Sequence, residues 1–168
     1  MKLYKQFSLN TQGRDFVCGD IHGCFERMHH ALDQLNFNYD TDRLFVCGDL
    51  IDRGPQCDQV LDYLTQPWFH AVMGNHDWML IAASKYGQVA KIWNQNGNRW
   101  WYQNPNLFEH YDIWQQQLAK LPLAIEVQTS MGKIGIAHAN IIGCDWNNFI
   151  EILDHNEIFR YDEWRLSV

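Results

Sequence analysis

The sequence lacks any cluster of basic residues. Its 168 residues include 13 Lys and Arg against 20 Asp and Glu, which gives a net charge of −7. Binding to the phosphate backbone of nucleic acids needs clustered positive charge, so nucleic acid is not expected as a partner. An acidic protein that handles phosphorylated substrates must attract them locally, through metal ions or a few arginines.

Long hydrophobic runs are also missing. No segment approaches the ~18 consecutive apolar residues of a membrane span, so no membrane association is expected. The N-terminal stretch MKLYKQFSLNTQGRDF has no apolar core of the kind found in signal peptides. Both absences favour a cytoplasmic protein.

The cysteines show no metal-binding or redox spacing. There are five of them, an odd number, and no two form a C-x-x-C pair. Cys18 and Cys47 lie at equivalent places at the ends of apolar runs, where a small buried thiol packs well. The pattern predicts a reduced chain without disulfides, which agrees with a cytoplasmic location.

The composition is that of one globular domain. Hydrophobic residues make up 46% of the chain and aromatic residues 14%, with 8 Trp. A chain of this length is expected to form one domain with a real core, spanning residues 1–168. The tryptophans are expected in that core, although the polar stretch NGNRWW offers little reason for its aromatic residues if it is only a solvated loop.

Three short apolar runs predict buried strands: RDFVCGD, RLFVCGD and FHAVMGN. Continuous apolar runs of this kind are typical of strands covered on both faces of a parallel or mixed sheet. Between them, Phe25, Met28, Leu32 and Leu35 recur at helical spacing, and residues 55–66 form a second amphipathic helix. The alternating order predicts two βαβ crossovers and an α/β fold.

The remainder is predicted to be helical and then to form a hairpin. Residues 77–121 are expected to be mostly helical, with Gly87 as a helix C-cap and residues 94–106 as a loop. The stretch LAIEVQTSMGKIGIAHAN predicts strands at 123–128 and 134–137 joined by a turn. A helix is expected at the start of the C-terminal tail.

Polar side chains follow each predicted strand. The motifs VCGDIHG, VCGDLIDRG, VMGNHD and GKIGIAHAN place carboxylate, amide and imidazole groups at strand ends, where ligands bind in open α/β sheets. The candidate metal ligands are Asp20, His22, Asp49, Asn75 and His138. This mixture of oxygen and imidazole ligands suits two divalent ions, Mn above all, with Fe, Zn, Co or Ni as alternatives.

The same motifs hold residues that suit phosphate chemistry. Asp49 is the natural bridge between two ions, and a hydroxide held between them would attack phosphorus in line. His76 can protonate the leaving oxygen with Asp52 as its carboxylate partner. Arg53 can bind phosphate oxygens through its guanidinium fork. Each residue taken alone has a structural alternative as a turn, cap or ion-pair residue, but the ordered set predicts a metal-dependent phosphoesterase.

The series GDIHG, GDLIDRG, GNHD and HAN resembles the calcineurin-like metallophosphoesterase superfamily, and within it the PPP-type bacterial and phage serine/threonine protein phosphatases. The resemblance covers nearly the whole chain. It implies a β-sandwich flanked by helices, a dinuclear metal centre, and hydrolysis of phosphomonoesters that include phosphoserine and phosphothreonine. It assigns Asp20 and His22 to the first metal, Asp49 to the bridge, and Asn75 and His138 to the second metal. The same matching makes His76 the general acid, Asp52 its partner and Arg53 a phosphate-binding residue.

The chain departs from that family pattern at several points. Asp77 stands where protein phosphatases usually have Glu, and this form resembles the symmetrical dinucleoside-tetraphosphate hydrolases. Met73 replaces an arginine of the phage-type enzymes, and Arg160 is the candidate for a second phosphate-binding arginine. A late GHT segment with one more metal-binding His is missing. The chain is therefore expected to lack the last strands of the fold, to bind its second ion more weakly, and to dimerise through an open sheet edge.

Three functions remain open from the sequence. The first is a phosphatase acting on phosphorylated proteins or small phosphoesters, favoured by the segments that join the motifs. The second is a symmetrical dinucleoside-polyphosphate hydrolase, favoured by Asp77. The third is a truncated, catalytically impaired metal-binding remnant, favoured by the missing late His.

Overall fold

The computed structural model describes residues 3–141 and 144–155. Within them the chain forms two three-stranded sheets, ordered β1-β5-β6 and β2-β3-β4. The strands are β1 (Tyr4–Phe7), β2 (Asp15–Cys18), β3 (Arg43–Val46), β4 (Phe69–Ala71), β5 (Ala124–Thr129) and β6 (Gly132–Ala137). Strand β1 was missed in the sequence, because its four residues pair in parallel with β5, about 120 positions away along the chain.

The sheet β2-β3-β4 is fully parallel, as the βαβ pattern predicts. Its crossovers are α1 (Phe25–Gln34) and a 3₁₀ turn (Cys57–Gln59) that continues into α2 (Val60–Leu64). Strand β3 is central and buried from Leu44 to Val46. The prediction that β2 is buried on both faces is wrong, since Val17 is 56% exposed. The reason is that β2 lies at the edge of its sheet in the described part of the chain.

The two sheets pack face to face through a small apolar layer. It is built from buried residues of both sheets and of the loop after β4: Phe45, Val72, Ile125, Val127 and Ile136. A larger core fills the space between the parallel sheet and the helices. The mixed α/β sandwich expected from the sequence is therefore confirmed, as is the hairpin, in which Thr129 pairs with Gly132.

The chain between β4 and β5 is helical, but its helices begin and end at residues other than those predicted. Its elements are α3 (Asn75–Ala83), α4 (Gly87–Gln95), α5 (Arg99–Gln103), a 3₁₀ stretch (Pro105–His110) and α6 (Tyr111–Leu118), and α7 (Trp146–His155) follows β6. No helix among the described residues is long and apolar enough to cross a membrane.

Three local predictions were wrong. Gly87 begins α4 instead of capping α3, because α3 already ends at Ala83 and Tyr86 is extended. The supposed loop 94–106 contains α5, whose Trp100 and Trp101 are buried. Leu35 lies just beyond the end of α1 and is 49% exposed, although Phe25, Met28 and Leu32 are buried as predicted.

The histidine of β4 is packed between aromatic rings. His70 lies between the rings of Phe7 and Phe45, with centroid distances of 4.4 and 5.2 Å. Burial lowers the pKa of His70 to about 4, and the charges of Lys5 and Arg43 add to this effect. His70 is therefore a neutral packing residue at the edge of the parallel sheet.

A buried carboxylate joins the segments that lead into β2 and β3. Asp42 is 4% exposed and accepts hydrogen bonds from the backbone of Arg14 and Asn38 and from the Arg14 guanidinium at 2.6 Å. Burial alone would raise the pKa of Asp42, but these hydrogen bonds lower it to about 2. The ionised group is thus part of the folded state.

Replacing Asp42 by alanine is expected to lower the free energy of unfolding by about 2 kcal/mol at neutral pH, because it leaves buried donors without an acceptor. The folded pKa is below the ordinary value, so the wild-type contribution is full above about pH 4 and falls as the pH drops toward 2. Denaturant unfolding from pH 7 to pH 2 measures both effects. Asp40→Ala, in the same loop but exposed, is the control; equal stability of the two variants would contradict the account.

Candidate metal centre

The loops that follow β2, β3 and β4 meet at one edge of the parallel sheet. The backbone N–H groups of Ile21 and His22 donate to the carbonyl of Asp49, at 3.2 and 2.8 Å. The backbone N–H of His76 donates to the Asp49 carboxylate at 2.9 Å. These bonds hold the three strand-end motifs together, as expected for the carboxyl ends of neighbouring parallel strands.

Backbone strain is concentrated in these loops. Among the described non-glycine residues, six have positive φ, and four of them are predicted site residues: His22, Asp49, Asp52 and Arg53. Such conformations cost roughly 1–3 kcal/mol each and persist only where the surroundings enforce them. Their clustering here indicates that the fold is built to hold these side chains in fixed positions.

Asp49 lies at the centre of the group and is 3% exposed. Its carboxylate is 3.5 Å from Nε2 of His22 and 4.0 Å from Nε2 of His76. These three residues offer possible ligand atoms that all lie within 4.8 Å of one another. The Nδ1 atom of His22 contacts the carbonyl of Ile51 at 2.9 Å; since a carbonyl only accepts, Nδ1 carries the proton and Nε2 presents its lone pair.

On the opposite side of Asp49, three acceptors point at one another. Nδ1 of His138 lies 2.7 Å from the carbonyl of Cys47, so it carries the proton and leaves Nε2 as an acceptor. That Nε2 is 2.9 Å from Oδ1 of Asn75 and 3.5 Å from the Asp49 carboxylate. Acceptors in this arrangement need a cation or a proton between them, which fits a metal site, and a backbone carbonyl orienting a ligand histidine is the usual support.

Asp20 is the predicted ligand that stands apart. Its side chain is 47% exposed, and its carboxylate lies 3.9 Å from Nδ1 of His138. It does not belong to the group formed by His22, Asp49 and His76, and the histidine beside it is His138. Arg160, predicted to contact phosphate, lies outside the described residues.

The predicted acid and its carboxylate partner are in direct contact. Nδ1 of His76 donates to Oδ2 of Asp52 at 2.6 Å, and both side chains are almost fully buried. The guanidinium of Arg53 donates to Nε2 of His76 at 2.9 Å and to Nε2 of His22 at 2.6 Å. The structure thus brings His76, Asp52 and Arg53 beside the candidate metal ligands.

Two residues that mark departures from the family pattern are buried. Asp77 is 0% exposed and accepts from the backbone N–H groups of Leu50 and Gly74, at 3.0 and 2.9 Å, so it joins two strand-end loops and does not face the cleft. Burial raises the pKa of Asp77 to about 7, and the charge of Asp49 adds to the rise. Met73 is 1% exposed. Asp77 is not exposed to a bound substrate, so its link to substrate class remains a resemblance in sequence.

Sequence reasoning missed two partners of the site. Trp93 and Trp100 donate their indole N–H groups to the carboxylate of Asp52, at 2.8 and 2.7 Å. Trp93 was predicted only as a core residue, whereas Trp100 lies in the stretch NGNRWW, whose aromatic residues the sequence left unexplained; both are buried. No local motif signals these bonds, because the helices that hold the tryptophans meet Asp52 only in the folded chain.

With this geometry in place, comparison with known proteins identifies the family. The family model described as calcineurin-like phosphoesterase matches residues 16–166. The chain belongs to the calcineurin-like phosphoesterase family. This confirms the resemblance seen in the motifs.

Several curated relatives of this chain are named as protein phosphatases. Serine/threonine-protein phosphatase 2 of Salmonella typhimurium is 40% identical over 127 residues, which cover 74% of this chain and 57% of that protein. Its namesake in Escherichia coli is 32% identical over 98% of this chain and 76% of that protein. The symmetrical bis(5′-nucleosyl)-tetraphosphatase of Erwinia tasmaniensis is 42% identical, but over 40% of this chain and 25% of that protein.

Solved structures share the fold of this chain. The crystal structure of a candidate diadenosine tetraphosphatase has a TM-score of 0.56 at 25% identity and covers 82% of this chain. A protein serine/threonine phosphatase from Saccharomyces cerevisiae has a TM-score of 0.52 at 22% identity over 75% of this chain, which shows the fold alone. This chain spans 55% and 39% of the length of these two chains.

A close backbone approach between Gly74 and Asp49 gives a testable prediction. A Cβ at Gly74 would collide with the backbone nitrogen and Oδ1 of Asp49, whereas a Cβ at Gly87 would meet nothing within 4 Å. Gly74→Ala is therefore expected to displace Asp49 and to lower Mn²⁺ affinity by at least about 10-fold. Gly87→Ala is expected to be neutral or slightly stabilising, because alanine favours the helix. Equilibrium dialysis and thermal unfolding compare the two; equal Mn²⁺ affinities would contradict the assignment.

Proposed function

We propose that the protein hydrolyses phosphomonoesters, with phosphoserine and phosphothreonine side chains of proteins as its substrates. The observation that carries this proposal is the buried Asp52–His76 pair lying beside Arg53 and the Asp49 ligand group. The groups proposed to transfer a proton, to bind phosphate and to bind cations therefore lie beside one another.

Divalent ions fit the residues present, because Nε2 of His138, Oδ1 of Asn75 and the Asp49 carboxylate are acceptors that lie close together. His22, Asp49 and Asp20 would hold one ion, and Asp49, Asn75 and His138 the other, with manganese as the proposed metal. Such ions supply neutralisation of phosphate charge and activation of water. When Nε2 of His22 binds a cation, its lone pair can no longer accept a hydrogen bond from Arg53. The guanidinium of Arg53 can then donate to phosphate oxygens.

The chain's own residues supply the proton. His76 holds one proton on Nδ1 toward Asp52, and its Nε2 atom faces the guanidinium of Arg53 in the cleft. A second proton on Nε2 can pass to the leaving oxygen, while the ionised Asp52 compensates the positive ring. Arg53 orients the phosphate with respect to that nitrogen.

A protein substrate is supported by the extent of the relatives. Those named serine/threonine-protein phosphatase match 74% and 98% of the chain, whereas the tetraphosphatase of Erwinia tasmaniensis matches 40%. The alternative, hydrolysis of symmetrical dinucleoside polyphosphates, is favoured by the TM-score of 0.56 with a candidate diadenosine tetraphosphatase. The sequence resemblance at Asp77 favours the same alternative, although this side chain is buried.

Turnover of three substrates in the presence of Mn²⁺ tests the proposal. We expect release of phosphate from para-nitrophenyl phosphate and from a phosphoserine peptide, and much slower cleavage of diadenosine tetraphosphate. Preferential cleavage of the dinucleotide would establish the alternative. Binding of Mn²⁺ with no turnover of any of the three would identify a metal-binding protein without phosphoesterase activity.

The open sheet edge supports the proposal of a dimer. Among the described residues β6 has no strand on its outer side, and its Ile134 is 48% exposed. Unpaired edges of this kind pair readily with another chain, here a second copy. Light scattering of the wild type and of Ile134→Lys tests this: the substitution should shift a dimer toward monomer, and a monomeric wild type would contradict the proposed dimer.

The five free cysteines fit the proposed cytoplasmic location.

A further inference from the structure

The carboxylate of Asp52 has an unusual set of partners. It is 0% exposed and accepts three N–H groups: from His76 at 2.6 Å, from Trp93 at 2.8 Å and from Trp100 at 2.7 Å. Trp93 and His76 share one oxygen, and Trp100 takes the other. Both oxygens of the carboxylate are therefore fixed in direction.

The chemistry of these donors differs from that of a structural ion pair. A buried carboxylate is costly unless it is hydrogen-bonded, and arginine or lysine is the common partner. An indole N–H donates without carrying charge. Trp93 and Trp100 therefore satisfy the oxygens of Asp52 while leaving its negative charge directed at His76, the partner that carries a proton in the proposed reaction.

The segment that supplies the indoles also contacts Arg53. The backbone N–H of Arg53 donates to the carbonyl of Gly97 at 3.0 Å. A Cβ at Gly97 would lie 2.8 Å from the Arg53 side chain, and Gly97 itself has a φ of +104°. Helices α4 and α5 and the loop between them thus fix the Asp52–Arg53 turn. This part of the chain is separate from the loops that carry the candidate metal ligands.

We infer that Trp93 and Trp100 are positioning residues for proton transfer: they hold Asp52 so that it orients the ring of His76 toward the leaving oxygen. This inference rests on the proposed phosphoesterase function. It gives the two tryptophans a role beyond filling the core.

A comparison of leaving groups tests the inference. Proton transfer matters for phenyl phosphate, whose leaving group is poor, and far less for para-nitrophenyl phosphate. Trp93→Phe and Trp100→Phe should each lower kcat for phenyl phosphate by about 10-fold or more, and kcat for the nitrophenyl ester by less than about 3-fold. Trp101→Phe is the matched control, since its ring lies 6.1 Å from that of Trp93 and no bond from it to Asp52 is found in the described structure. It should change both rates by the same factor.

A double-mutant cycle separates positioning from general damage. In a His76→Asn background, Trp93→Phe should have less than about a 2-fold further effect on phenyl phosphate, because the group that it orients is gone. Circular dichroism and thermal unfolding show that each variant is folded, and isotope-labelled indole N–H groups of Trp93 and Trp100 should exchange slowly with solvent in the wild type.

The outcomes are distinguishable. Equal loss on both substrates, or a full effect of Trp93→Phe in the His76→Asn background, would overturn the positioning role while leaving the phosphoesterase activity established. Failure of the wild type to hydrolyse either substrate would remove the proposed function itself, and with it the role of the tryptophans, before any variant is made.

Discussion

Replacement of Asp49 by asparagine is expected to lower kcat/KM for para-nitrophenyl phosphate by about 10³-fold or more, equivalent to about 4 kcal/mol of transition-state stabilisation. The amide has the same size and can still accept the backbone N–H of His76, now 2.9 Å from the carboxylate. It removes the negative charge that faces His22, His76 and His138. The loss should therefore follow from weaker metal binding and not from unfolding.

The measurement pairs turnover with Mn²⁺ content of the same sample. Asp58→Asn provides a control of equal charge change, because Asp58 is exposed in the 3₁₀ turn before α2. The control should keep its metal and its activity. Retention by Asp49→Asn of more than about a tenth of wild-type turnover would show that Asp49 is not the shared ligand.

Replacement of His76 by asparagine should lower kcat for phenyl phosphate by about 10²–10⁴-fold, the range that general acid catalysis contributes. The fall for para-nitrophenyl phosphate should be much smaller, since its leaving group needs little help from a proton. Metal content is expected to stay at the wild-type value, because the proposed ligands are other residues. This separates a proton donor from a ligand.

The distinction matters because His76 has a ligand atom within the group formed with His22 and Asp49. Loss of Mn²⁺ in parallel with activity would make His76 a metal ligand and remove its assignment as the acid. His30→Asn is the control, since His30 is exposed on α1 and should affect neither quantity.

The sequence allowed prediction of the strand ends because the signal there is local. A run such as RLFVCGD combines apolar residues with a glycine and a carboxylate, and the parallel order of β2, β3 and β4 brings these ends together. Pairing of β1 with β5 depends on residues about 120 positions apart, which no local pattern contains. The exposure of Val17 has the same cause, because a strand's place in its sheet is a tertiary property.

The residues of the candidate site could be predicted from the sequence, but the residues that hold them in place could not. His76 and Asp52 could be paired from their motifs, yet the indoles of Trp93 and Trp100 reach Asp52 only through the packing of α4 and α5. Asp77 looked like a marker of substrate class, and its burial against Gly74 depends on the fold of two loops. In each case, the missing information is which face a side chain presents after folding.

The proposed dinuclear metal centre and its phosphoester hydrolysis can be tested in one experiment. The number of Mn²⁺ ions per chain is determined after equilibrium dialysis, together with the turnover of a phosphoserine peptide by the same sample. We expect two ions per chain and release of phosphate. One ion or none, with no release of phosphate, would show that this chain does not form such a centre.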